Sequence, residues 1–171
     1  MGRTALRRVV GTALAGVLAL GCRDGNPAAV AEVASGRFRA EATGAVRATL
    51  EGDAELLLPL GESMEVELRD AGTQRTIVFA GGGFQTVTSF QPFRFRRGEH
   101  ALGLLTAVFT MFSDDPDSQA RPYFPLRGTL RVTEATDRRV AGTFWWEGSA
   151  DPRDPSTRIR LEGAFDAVRA P

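Results

Sequence analysis

Four groups of residues in this 171-residue chain have the chemistry to do something: one cysteine, one histidine, a run of aspartates and a pair of tryptophans. Cys22 is a nucleophile or an acyl acceptor, depending on what precedes it. His100 lies in RRGEHALG beside a turn signal. With no second histidine to support it, its imidazole reads as exposed and idle, and no serine or cysteine nucleophile has a base to use. Zinc normally takes several His or Cys ligands, which the chain does not hold. Asp114, Asp115 and Asp117, in SDDPDSQARPYFP, offer oxygen ligands for calcium. Their spacing lacks the mid-loop glycine and final glutamate of the usual calcium loop, so a solvated acidic loop is the plainer reading. Gly81-Gly82-Gly83 has neither the lysine nor the strand-to-helix setting of a phosphate loop. Paired carboxylates could hydrolyse a glycoside, but no pair stands apart from a solvated strand face. Trp145 and Trp146 are adjacent, so on a strand one ring points in and one out. The outward ring is the binding candidate.

The segment before Cys22 decides where these residues work. Arg3, Arg7 and Arg8 form a positive start, Val9 to Leu20 is an apolar run, and Gly21-Cys22 closes it, which is the layout of a secretory signal. The run is shorter than the roughly 20 apolar residues needed to span a bilayer. Ala19-Leu20-Gly21-Cys22 resembles the lipobox of bacterial lipoproteins, with Gly21 and Cys22 in place and Ala19 and Leu20 departing from the usual residues. That resemblance implies diacylglycerol on the Cys22 sulfur, cleavage before Cys22 and a further acyl chain on the new amino terminus. Two or more chains hold a protein stably on a bilayer. The alternative is an ordinary signal peptide, leaving a free thiol at Cys22. The expected layout is therefore a signal peptide over 1–21, a lipidated cysteine and tether over 22–35, and a single domain over 36–171.

The 150 residues beyond the signal suit one domain, large enough to build a core without a disulfide or metal. Every basic residue is arginine; past the signal, 18 arginines meet 21 acids, a formal charge of −3. That balance gives no electrostatic case for nucleic acid, and no cofactor is expected.

From Gly36 the hydrophobic period is two. Phe38, Ala40 and Ala42 alternate with arginine and glutamate, as do Val46, Ala48 and Leu50. Glu51-Gly52-Asp53 reads as a turn into Ala54 to Leu58. Met64, Val66 and Leu68 against Glu65, Glu67 and Arg69 are the cleanest alternation, which places Val66 and Leu68 in the core and both glutamates in water. Asp70-Ala71-Gly72-Thr73 is a hairpin signal, with Arg75 to Ala80 the returning strand. Phe84, Phe90, Phe93 and Phe95 are expected to cap one end of a core. Leu102 to Phe112 is almost unbroken in apolar character and reads as one strand buried on both faces.

The last third holds three strands, Gly128 to Ala135, Val140 to Gly148 and Arg158 to Ala167. The core set there is Leu130 and Phe144, with Arg131 outside. Gly128, Gly142 and Gly163 each stand two residues before a large apolar side chain, a sign of close backbone approach. The GTL-x-V-T, GTF and G-x-F arrangement over these strands resembles the carboxyl-terminal end of uncharacterised bacterial lipoproteins with all-β domains.

Short strands at close turn spacing predict an all-β fold, an antiparallel β-sandwich of about ten strands, with a lipocalin-like closed barrel as the alternative. The functional expectation is a non-enzymatic, membrane-anchored envelope lipoprotein whose domain binds or scaffolds a partner, its acylated Cys22 in the lipid bilayer. A barrel-type carrier of apolar ligands, with aromatics from Phe84 to Phe112 lining the cavity, is second. A carboxylate-based hydrolase is third.

Overall fold

A computed structural model describes residues 33–58, 63–81, 92–114 and 122–170. Nine strands follow in chain order: β1 (Arg37–Gly44), β2 (Ala48–Leu57), β3 (Glu65–Asp70), β4 (Thr76–Gly81), β5 (Gly98–Leu102), β6 (Val108–Ser113), β7 (Phe124–Ala135), β8 (Arg139–Ser149) and β9 (Arg158–Val168). The all-β expectation holds. Round the sheet the order is β1-β2-β3-β4-β6-β5-β7-β8-β9, and antiparallel pairing of β1 with β9 closes it into a ring. The pairing is thus one continuous mixed sheet closing in a ring, mostly antiparallel, with parallel pairs joining β2 to β9 and β5 to β6.

Period-two patterning sorts the side chains. Val66, Leu68 and Leu130 are fully buried and Phe144 is 1% exposed, while Arg131 is exposed and Glu65 and Glu67 keep partial contact with water. Inside, Phe79 packs edge-on against Phe144 at 5.0 Å between ring centres and stacks on Phe165 at 5.7 Å. Trp146, Leu50, Leu56 and Leu161 complete a filled interior. Of the four capping phenylalanines, Phe95 is buried and Phe93 half-buried, in edge-on contact at 5.0 Å; Phe84 and Phe90 lie outside the described residues.

Three segments differ from the sequence reading. Glu51-Gly52-Asp53 makes no turn: β2 runs straight through, and Gly52 lies so close to β3 that a Cβ there would fall 1.9 Å from the Arg69 carbonyl oxygen. A glycine between acids suits a turn, but here it serves a close strand crossing. His100 is in strand β5, paired with Leu130 rather than in a turn. Leu102 to Phe112 is two strands, not one, interrupted at Gly103–Ala107, where the Thr106 hydroxyl accepts from the Gly103 N–H at 3.1 Å and lies 2.8 Å from the Val108 carbonyl.

Beyond that interruption, β6 meets the start of β7 through a single bridge among the described residues. Phe112 and Tyr123 exchange both N–H to carbonyl bonds, at 3.0 and 2.9 Å, which opens an antiparallel β6–β7 ladder. Two residues on, the register brings Thr110 opposite Pro125, whose ring nitrogen has no hydrogen to donate. The ladder stops and β7 shifts register between Pro125 and Arg127. Below the shift β7 pairs with β5, so β5 and β6 share one slot in the ring, joined to each other only by the parallel pair Leu102 and Val108.

Candidate functional site

The outer wall is built of cross-strand ion pairs. Arg37 faces Asp53 and Arg39 faces Glu51 in the β1–β2 register, and both pairs are bridged, the second at 3.0 Å. Glu147 stands opposite Arg127 on one side and Arg160 on the other, bonding them at 2.7 and 3.3 Å; Arg160 also reaches Glu162 at 3.2 Å. The alternating charges of the sequence are therefore register partners, each worth a few tenths to about 1 kcal/mol. The most enclosed carboxylate of this set, Asp166, takes a two-point bond from Arg139 at 2.7 and 2.6 Å, which with the charge of Asp166 drives the Arg139 pKa upward.

A groove of about 450 Å³ opens on this wall where β7, β8, β9 and the end of β1 meet. Thr43, Leu126, Arg127, Glu147, Arg158, Ile159 and Arg160 line it, so three guanidinium groups face one carboxylate. Alternation points Arg127, Glu147 and Arg160 outward, and the Glu147 bridges hold two of the arginines in place. Arg158 makes no ion pair among the described residues. Arg160 also lies 5.1 Å above the Trp145 ring, a cation–π contact that ties the half-buried outer tryptophan to the groove. The arrangement can take an anion with an apolar or ring-shaped body.

Beside the groove the wall turns apolar. Leu105 is 87% exposed, Leu104 52% and Leu126 43%. Gly103, at the base of the Leu104-Leu105 loop, lies against Leu126, and the Phe109 and Phe124 rings stand 6.0 Å apart on β6 and β7.

The residues singled out in the sequence are not gathered together. Trp145 is on the outer wall, but Trp146 is fully buried, so it is a core residue and no surface binding group. Asp114 bridges Arg75 at 2.6 Å, and Asp115 and Asp117 lie outside the described residues, as does Cys22. No cluster of three metal-ligating side chains occurs among the described residues. The half-buried His100 ring nitrogen Nε2 lies 2.7 Å from the Arg96 carbonyl oxygen. Of the carboxyls, burial and then the neighbouring charge of Glu67 raise the Glu65 pKa, while Asp70 is held below the ordinary range. Burial works against that lowering at Asp70, but the Thr73 hydroxyl and backbone N–H groups, those of Glu51 and Thr73 at 2.9 and 2.7 Å, outweigh it.

Sequence reasoning missed Arg127, Arg158 and Arg160, which only the register brings side by side. It also missed exposed Leu104 and Leu105, for which Gly103 was the available signal. No protein-family model, curated protein or solved structure matches the chain.

Proposed function

We propose that the chain is an exported envelope lipoprotein, held on a membrane through acylated Cys22, whose all-β domain binds a partner on its outer wall and catalyses nothing. The observation that supports the binding part is the groove of Arg127, Arg158 and Arg160 beside Trp145, in which three arginines meet one carboxylate, Glu147. A rigid sheet with fixed guanidinium groups suits recognition of an anion better than turnover, because no base and nucleophile face each other there. The lipobox-like Ala19 to Cys22 supports the anchor.

Fractionation with intact-mass measurement tests the anchor. Wild type should appear with membranes and carry acyl mass on Cys22, and Cys22→Ser should lose that mass. An unmodified soluble wild type beginning at Cys22 overturns it. For the groove, Arg158→Glu and Trp145→Ala should each weaken capture of envelope components by at least tenfold without changing the melting temperature by more than about 2 °C. Unchanged capture overturns the groove as the binding surface. The carrier reading has the ring closure in its favour, but the Phe79, Phe144 and Phe165 rings occupy the space a ligand would need.

A further inference from the structure

We propose that the wall carrying Leu104, Leu105 and Leu126 rests on an anionic phospholipid surface, with Arg158 and Arg127 on the lipid phosphates; the proposal rests on the anchored reading of Cys22. Three observations lead there.

The first is apolar exposure at the tip of a loop. The Gly103–Ala107 loop between β5 and β6 presents two consecutive leucines, one 87% and one 52% exposed, and Leu126 on β7 is 43% exposed. Leucine side chains of this exposure gain by entering the acyl boundary of a bilayer.

The second is charge. Leu126 lines the groove with Arg127 and Arg158, and its carbonyl oxygen lies 3.8 Å from where a Cβ on Gly103, at the base of the loop, would stand. The leucine loop and the cations thus lie near the same end of β7, on a domain whose formal charge past the signal is −3. Local positive charge beside exposed leucine matches a layer that is negative at its surface and apolar beneath.

The third is reach. Val33 lies on the outer wall with Thr133 and Glu134 of β7. Leu126 is seven residues up the same strand, roughly 23 Å away along it. Cys22 precedes Val33 by eleven residues, a segment that spans at most about 40 Å. The chain joins the domain on the wall that bears the leucines, so a bilayer-held Cys22 keeps that wall within touching distance, at high effective concentration.

The single cysteine makes a clean test. When Cys22 is acylated, Leu105→Cys supplies the only free thiol; Ala71→Cys does the same in the exposed β3–β4 hairpin, at the opposite end of the sheet from the loop. Each full-chain protein is labelled with an environment-sensitive fluorophore and reconstituted into phosphatidylglycerol–phosphatidylethanolamine vesicles containing a brominated lipid. The label at 105 should shift to the blue and be quenched, and the label at 71 should do neither. Arg158→Glu, or replacement of the anionic lipid by phosphatidylcholine, should weaken quenching at 105 roughly fivefold or more. Equal emission at the two positions, or quenching at 105 indifferent to lipid charge, overturns the proposal, as does burial of 105 only when a protein partner is added. Thiol labelling of wild type reports on the anchor separately. If Cys22 takes the label, the anchor fails, and Leu105→Cys in a Cys22→Ser chain added to the same vesicles then decides the wall by itself.

Discussion

Asp70 ends β3 and organises the hairpin to β4: its carboxylate accepts from the Thr73 N–H at 2.7 Å and hydroxyl at 2.6 Å, and from the Glu51 N–H of β2 at 2.9 Å. Asp70→Ala leaves those donors unmet and should cost about 1–3 kcal/mol in urea denaturation at pH 7. The sign with pH follows from the lowered carboxyl pKa. The native state favours the charged form, so the contribution is present above the unfolded value of about 3.9 and is lost as pH falls through the folded one. Asp70→Asn should therefore flatten the acid limb of the stability profile, and an unchanged limb would show that other carboxylates set it. Two buried polar atoms, Thr110 Oγ1 and Trp146 Nε1, have no hydrogen-bond partner among the described residues. Thr110→Val keeps the shape and removes one, and should be neutral or stabilising by up to about 1 kcal/mol; a loss above that would reveal a partner for the hydroxyl. His100→Ala should change stability by no more than about 1 kcal/mol, since a single bond to a backbone carbonyl on a half-exposed strand is all it removes.

At the scale of strands, glycines sit opposite rings. Phe38 pairs with Gly52, Trp146 with Gly128, Phe165 with Gly142 and Phe144 with Gly163. The ring needs inward space, and its cross-strand neighbour supplies it by having no side chain, which also lets a small closed sheet bend. A Cβ on Gly142 would stand 2.3 Å from the Arg131 carbonyl oxygen, a backbone atom with nowhere to go. Gly142→Val should destabilise by at least about 2–3 kcal/mol, read as a clear fall in melting temperature. The strands themselves were legible: the alternation in Met64 to Arg69 and the three carboxyl-terminal runs give faces and near-boundaries, and Gly128, Gly142 and Gly163 gave the close approach. What pairs with them was not legible, because register is set by contacts far apart in the chain. The same reason hid the groove: Arg127 and Arg160 look like ordinary solvent-face residues until Glu147 is seen between them. Leu102 to Phe112 misled because apolar character does not mark a break between two strands that pair with different neighbours, β5 with β7 and β6 with β4.

The described residues pack around one hydrophobic core. Phe144→Ala removes the ring that touches both Phe79 and Phe165, and should cost about 3–5 kcal/mol in equilibrium unfolding. The closure of the sheet also means that its first and last strands in chain order are neighbours. The Gly36 N–H donates to the Asp166 carbonyl at 2.8 Å, so the start of β1 and the finish of β9 lie side by side. A ring of hydrogen bonds has no preferred first strand, and the order in which its strands are synthesised is a matter of connection. Residues 36 and 168 can be joined by a short glycine-rich linker and the chain reopened within Gly103–Ala107, where the wall already lacks a continuous ladder. Such a circular permutant should keep the far-ultraviolet spectrum and cooperative melting of the parent. On the anchored reading proposed above, it would also move the tether to the leucine loop itself, leaving only a few residues between Cys22 and that wall.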